Sequence, residues 1–176
     1  PFVTHLPLLL DDDPSSEVGD APVLLGHVAR GNPHWRYLQA RPQAVVTFLG
    51  AHAYLSPQVY PDLARVPTWN YLAVHCTVEA VLIDDPDAKD ALLKKLIGDH
   101  EPAYAGQWRS LDADYQRKML AGIVGFEMRV TAFECKLQLN QHRPEAYDAT
   151  LRMYTSGSSH QRTLADWMIR LKNSKI

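Results

Sequence analysis

Two cysteines in 176 residues are too few for a disulfide framework. Cys76 and Cys135 each fall inside a strand-like run, and they read as two buried free thiols in a reducing compartment. No apolar run approaches the roughly 20 residues that a membrane-spanning helix needs. A charge excess is missing too. The net charge of −2 gives no general attraction to nucleic acid or to an anionic membrane, although a local basic patch stays open. Familiar catalytic punctuation is also lacking. No GxGxxG joins a strand to a helix, and no GxxxxGK is followed by Ser or Thr, which weighs against a Rossmann site and a P-loop. There is no GxSxG elbow, and the eight histidines form no HxH or HExxH, nor is there a CxxC. Nothing at the start reads as a secretory leader, so the cytoplasm is the expected location. The chain opens at Pro1 without a methionine, and residues upstream of it are expected.

What is present is ordinary globular material, 46% hydrophobic and 22% charged, of a length that suits one domain. Its longest strand signal is residues 66–83, VPTWNYLAVHCTVEAVLI. From Asn70 onward, alternate residues are Asn70, Leu72, Val74, Cys76, Val78, Ala80 and Leu82, apolar after the first member. Trp69, Tyr71, Ala73, His75, Thr77, Glu79 and Val81 make the mixed opposite face, so one side should rest on a core. Fully extended, such a strand would reach roughly 50 Å, which favours bending around a barrel.

Other elements arrange themselves about it. Residues 2–10 and 23–29 read as strands forming a hairpin, with a polar loop over 11–22. Asn32-Pro33 is a helix start, with Asn at the N-cap and Pro at the first helical position, and Pro42 ends that helix. Residues 43–50 are a third strand, and Ser56-Pro57 marks a turn. Asp85-Pro86 starts a helix that Gly98 should stop; residues 101–110 read as an irregular loop carrying Tyr104 and Trp108. A short helix over 112–121, a long strand over 123–139, and helices over 145–155 and 163–171 complete the chain. The order β-β-α-β-β-α-α-β-α-α lacks regular crossovers. It therefore argues an antiparallel, mainly β barrel, closed or partly split, with peripheral helices. Residues 1–144 make the barrel and residues 145–176 a helical extension of the same domain.

Three constellations could carry chemistry. Residues 26–35, GHVARGNPHW, run a strand through glycine into a capped helix start, where backbone N–H groups and Arg30 could hold a phosphate. The plainer alternative is a simple cap and a solvated Arg30. Residues 67–71, PTWNY, with residues 50–54, GAHAY, interleave amide, hydroxyl and indole groups with aromatics, and could take a flat heterocycle. Packing of Trp69 and Tyr71 under a loop is the competing reading. Among the histidines, His27 with His34, or His52 with His75, could meet in space, but no metal spacing exists. Glu127, inside a strand, suits a salt link with Arg129 or Lys136.

Six segments in fixed order carry a resemblance. They are HLPLLL from His5, GHVARGNPHW from Gly26, GAHAYLSP from Gly50, VPTWNY from Val66 with Val74-His75, IVGFE from Ile123, and KLQLNQHR from Lys136 to Arg143. Together they make the chain resemble the PaiB-like FMN-binding negative transcriptional regulators. That resemblance implies a split β-barrel similar to the pyridoxine 5′-phosphate oxidase fold, a homodimer with FMN at its interface, and a repressor's output that could involve DNA. Residue by residue it implies Arg30 and Asn32 at the FMN phosphate with His5 and His27 nearby. Thr68, Trp69, Asn70 and Tyr71 would line the isoalloxazine, Lys136 or Arg143 would come from the partner subunit, and Gln141 matches the same cofactor-binding motif. Asn140 and His142 depart from the family pattern, so no contact is carried to them. An FMN-dependent oxidoreductase of the same barrel superfamily is the alternative, and a flavin-free dimeric scaffold the third reading. Arg152, Arg162, Arg170, Lys172 and Lys175 are scattered among polar residues and read as a solvated helix face rather than a DNA-reading helix.

Overall fold

The computed structural model describes residues 2–11, 21–62 and 64–174. Its strands are β1 (Leu9–Asp11), β2 (Val23–Ala29), β3 (Gln43–Leu55), β4 (Thr68–Ile83) and β5 (Ile123–Gln138). The helices are α1 (His34–Ala40), α2 (Pro86–His100), α3 (Tyr104–Ser110), α4 (Ala113–Ala121), α5 (Tyr147–Thr155) and α6 (Ser159–Asn173). The five strands form one mostly antiparallel sheet in the order β1-β2-β5-β4-β3. Leu9 stands opposite Leu25, and β2 runs against β5 from Val23↔Arg129 to Ala29↔Ile123. β1 and β3 are edges, so the sheet is not closed on itself. That openness is in keeping with a split barrel and removes the closed one.

By contacts the chain divides into two compact units, Pro1–Val46 with Cys76–Ala132 and Thr47–His75 with Phe133–Ile176. In the first, Val23, Leu25 and Leu92 are buried with Leu9 packed on them, and Val124, Phe126, Met128 and Val130 give β5 its inward face. Gly26 is glycine for a packing reason. A Cβ there would sit 2.6 Å from Leu8 Cδ2 and 2.8 Å from Cε2 of Phe126, its cross-strand neighbour. In the second unit, Leu55, Val59, Leu139, Ala146, Tyr154, Leu164, Ala165 and Met168 form the core. The expected alternation of β4 holds at Trp69–Asn70 and from His75 to Val81, while residues 71–74 are all half-buried. Asn70, Cys76, Val78 and Ala80 are buried, while Trp69, His75, Thr77 and Val81 are exposed.

Several local expectations need correction. The strand foreseen over residues 2–10 is only Leu9–Asp11. Phe2 instead packs edge-on against His34 and tilted against Tyr37, both from α1. Gly98 does not stop α2, which runs to His100; an exposed glycine costs a helix only about 1 kcal/mol and is carried by its neighbours. The loop foreseen over residues 101–110 contains α3, fixed because buried Trp108 donates from Nε1 to Asp90 at 2.8 Å. α6 begins four residues early, through a reciprocal cap between Ser158 and Gln161. Helix α1 starts at His34, one residue late, with Asn32 Oδ1 accepting the His34 N–H at 2.9 Å. Arg129 pairs with Glu79, not with Glu127, which is exposed. Cys76 is buried but Cys135 is not, because residues 131–136 of β5 are exposed on both faces. The register with β2 ends at Arg129 and Val130 N–H goes to Pro22 C=O, leaving that stretch beyond the pairing. Most of the loop foreseen over residues 11–22 (residues 12–20), and Lys175, lie outside the described residues.

Candidate functional site

In the first unit the chain leaves β2 and turns into α1 at Arg30. Its Nε donates to Ala121 C=O at 2.8 Å, and one Nη donates to Ile123 C=O at 3.2 Å and pairs with Asp84. Asp84 also accepts from Lys89 Nζ at 3.0 Å, and the Lys89 side chain is only 3% exposed. Hydrogen bonds from Arg30 and then Lys89 hold the Asp84 carboxyl below the usual carboxylate range, against its own small desolvation. Arg30 is therefore neither a solvated charge nor a loose cation. Much of its fork is spent fixing the corner where β2, the end of β4 and the start of β5 meet.

Around that corner Asn32 Nδ2 donates to Thr4 Oγ1 at 3.3 Å, and Thr4 Oγ1 lies 2.8 Å from His34 Nδ1. This lays the segment bearing His5, itself exposed, against the start of α1. Trp35 Nε1 donates to Arg30 C=O at 3.0 Å, and the Arg36 guanidinium lies 5.1 Å from the Trp35 ring centroid. Burial lowers the pKa of His27, on β2, and of His34, so both favour the neutral form. Of the two histidine pairs that could have met, His34 turns Nδ1 to Thr4 rather than to His27.

In the second unit the head of β4 meets the far half of β3. Trp69 is 49% exposed and its indole stacks on the His52 ring, centroids 6.1 Å apart at 25°. Tyr54, also half-exposed, meets Trp69 edge-on at 6.3 Å. His52 is met from its other partner, His160 of α6, at 4.6 Å and 90°. Its companion is thus His160, not His75. Thr68 is exposed and Tyr71 half-buried, so β4 presents Thr68, Trp69 and Tyr71 within reach of solvent.

Asn70 is different. It has no exposed surface and points inward on the side where Leu72 packs on the core, so its side chain meets the core rather than a ligand's edge. Neither its amide nitrogen nor its oxygen has a hydrogen bond of ordinary geometry, although the Tyr154 hydroxyl is near enough to act on it. Burial pushes the Tyr154 phenol up to about 12, opposed by that Asn70 contact. The Tyr154 hydroxyl also donates to Tyr54 C=O at 3.4 Å.

At the end of β5, Gln141 folds back on its own strand. Its Oε1 accepts from Leu139 N–H at 2.8 Å and its Nε2 donates to Leu137 C=O at 2.6 Å. Asn140 takes a left-handed backbone (φ 60) and accepts from the Tyr60 hydroxyl at 3.1 Å, a structural duty that suits its departure from the family pattern. Arg143 reaches Glu145 at 3.9 Å, Lys136 is exposed, and a cavity of ≈30 Å³ lies among Asn140, Gln141, Arg143, Tyr147 and Thr150.

The structure brings Trp69 together with His52 and Tyr54, with Thr68 and Tyr71 near it along β4, and Gln141 with Arg143 at one turn. It sets Arg30 and Asn32 at one corner. His160 is the residue that sequence reasoning missed; it stands 108 positions from its partner, and no local signal marks it. The exposed aromatic ledge fits a flat conjugated ring by stacking, whereas the Arg30 corner has much of its charge already paired. Among the described residues no three or more His, Cys, Asp or Glu side chains come together to hold a metal, and no helix is long and apolar enough to cross a membrane.

Comparison with known proteins gives these geometries a setting. Residues 1–132 match the family model described as "Putative FMN-binding domain". Over 148 residues the chain is 34% identical to the protease synthase and sporulation protein PAI 2 of Bacillus subtilis, covering 82% of this chain and 68% of that protein. An uncharacterized protein of Aspergillus fumigatus is 27% identical over 179 residues, covering 80% of this chain and 68% of its own. Among solved structures, the FAD and heme binding protein of Mycobacterium smegmatis is 22% identical with a TM-score of 0.46, over 66% of this chain and 53% of that one. The flavocytochrome Anf3 of Azotobacter vinelandii is 17% identical with a TM-score of 0.46, over 65% and 50%. The chain thus spans about half the length of either structure.

Proposed function

Since this chain belongs to the PaiB-like FMN-binding family, we propose that it is a flavin-binding regulator that works as a homodimer in the cytoplasm. FMN is the bound group, and the isoalloxazine supplies whatever electron or ligand chemistry the regulator senses. The observation that carries the reading is the ledge of Trp69, flanked by His52 and Tyr54 and open to solvent. Stacking on an indole suits a flat conjugated ring, and Thr68 and Tyr71 add hydroxyl groups for its polar edge. Asn70 acts from behind, as the inward neighbour that sets the strand carrying them. Asn32, His27, His5 and the remainder of the Arg30 fork are assigned to the phosphate, each on its own chemistry. Because Arg30 is tied to Asp84 just past the end of β4 while Trp69 heads that strand, ring and phosphate contacts to one FMN would come from different subunits. Lys136 or Arg143 is assigned to reach the flavin from the second subunit of the dimer, and Gln141 to the same cofactor-binding motif.

The regulatory output rests on the family and on the name of the Bacillus relative, which ties that protein to protease synthesis and sporulation. Direct DNA contact has less behind it. Arg170 lies 5.4 Å from the Trp167 ring centroid and Lys172 Nζ 4.1 Å from that of Tyr147, so two basic side chains of α6 rest on aromatic neighbours. Gel shifts across a salt series separate the cases: a steep salt slope marks direct binding, and no shift at low salt removes it.

The test of the flavin site is titration with FMN, read by absorbance and fluorescence. Trp69→Ala is expected to weaken FMN by about 1–3 kcal/mol, the scale of removing an aromatic stacking partner. Trp69→Phe should keep most of the affinity. Equal affinity in wild type and Trp69→Ala would take the ring off this ledge.

A further inference from the structure

Resting on the reading of Trp69 as the ring's support, we infer that His160, at the start of α6, is a positioning residue that holds that support and makes it sensitive to acid. The argument is one of hydrogen-bond polarity. His52 N–H donates to His160 Nδ1 at 3.3 Å. A ring nitrogen that accepts an amide hydrogen carries none itself, so His160 is neutral here, with its hydrogen on Nε2. His52 is fixed in the opposite sense. Its Nδ1 lies 3.1 Å from Gly50 C=O, which can only accept, so Nδ1 bears the hydrogen. Held in this way, the His52 ring lies along the Trp69 indole while His160 stands edge-on to it. Contact therefore runs from α6 through β3 to the head of β4.

One proton taken from solvent at His160 Nδ1 turns the acceptor into a donor facing another donor. The bond to His52 N–H is lost and the two dipoles oppose each other. The new charge also falls within the first turn of α6, where the helix dipole disfavours a cation. The titratable group facing His160 from β3 is His52; from its own helix, Arg162 turns its guanidinium back to Gly157 C=O. Neither carries a negative charge to offset an imidazolium, although His52 Nε2 keeps a lone pair. Acid thus frees the start of α6 from β3, and His52 loses its brace against Trp69.

NMR on the full chain tests this without any flavin. The Trp69 indole N–H is identified as the resonance missing from Trp69→Phe. In wild type it should move on acidification in step with the His160 ring. His160→Asn presents an amide oxygen that can accept the same hydrogen but cannot titrate. It should keep the neutral-pH resonance and abolish the shift. His160→Phe, a ring without an acceptor, should hold the acid position throughout. An unchanged titration in His160→Asn, or a hydrogen found on His160 Nδ1 at neutral pH, overturns the proposal. FMN titration on the same variants reads the ring site separately: affinity should fall on acidification in wild type and stay flat in His160→Asn. Coupling of Trp69 to His160 together with FMN affinity indifferent to Trp69→Ala would keep the positioning role and remove the ring from the ledge.

Discussion

Tyr154→Ala is expected to cost about 4 kcal/mol of unfolding free energy, whereas Tyr154→Phe should cost about 1 kcal/mol or less. Tyr154 has no exposed surface and packs in the second unit among Leu55, Ala146 and Leu164, so truncation empties a volume the surroundings cannot refill. The hydroxyl contributes little by comparison. Its bond to Tyr54 C=O is long, 3.4 Å, and the adjoining Asn70 amide lacks a partner of good geometry in any case. Urea denaturation of the two variants separates volume from polarity, and a Phe variant as damaged as the Ala one would reverse the assignment. Alkali gives a second reading. Burial raises the folded-state phenol from 10.0 to about 12, so its contribution is complete below pH 10 and is lost as pH rises toward 12. Tyr154→Phe should flatten that loss.

Asp84→Ala is expected to destabilise by about 2 kcal/mol, with Asp84→Ala/Lys89→Met recovering most of it. Asp84 answers two cations, Arg30 and the buried Lys89, which also donates to Ile123 C=O at 3.4 Å. Removing the carboxylate leaves a buried ammonium beside a guanidinium. The full cost of such a break is about 3–5 kcal/mol in a dry interior, and the 62% exposure of the Asp84 side chain lets water offset part of it. Because the folded-state pKa of Asp84 lies below the ordinary 3.8, its contribution is present above that value and disappears as pH falls through the lowered one. Wild type and Asp84→Asn should therefore converge in stability under strong acid. A gap that persists there would mean the carboxylate's charge is not the source.

What could be read from the chain was what is written locally. The inward set of β4 follows from period-two alternation, and the starts at Ser56-Pro57 and Asp85-Pro86 follow from side chains that accept the Gln58 and Ala88 backbone hydrogens. Helix α3 was not legible, because Tyr104–Ser110 includes Gly106 and depends on Trp108 reaching Asp90 across 18 positions. The flavin-family motifs marked both the β2–α1 corner and the head of β4. They could not disclose that Arg30 is bound to Asp84, 54 positions away, or that His52 leans on His160. Asn70 teaches the reverse lesson. Its alternation with Leu72 turns it inward, and the pleat rather than the motif decides where its side chain goes.

The stretch of β5 bare on both sides holds Phe133, 63% exposed, and next but one the Cys135 sulfur. Cys76, by contrast, is enclosed. A water-borne alkylating reagent should consequently mark one thiol quickly and the other only after unfolding. If a second subunit lies over this strip, the fast reaction becomes a gauge of assembly: dilution quickens it, and concentrating the protein slows it.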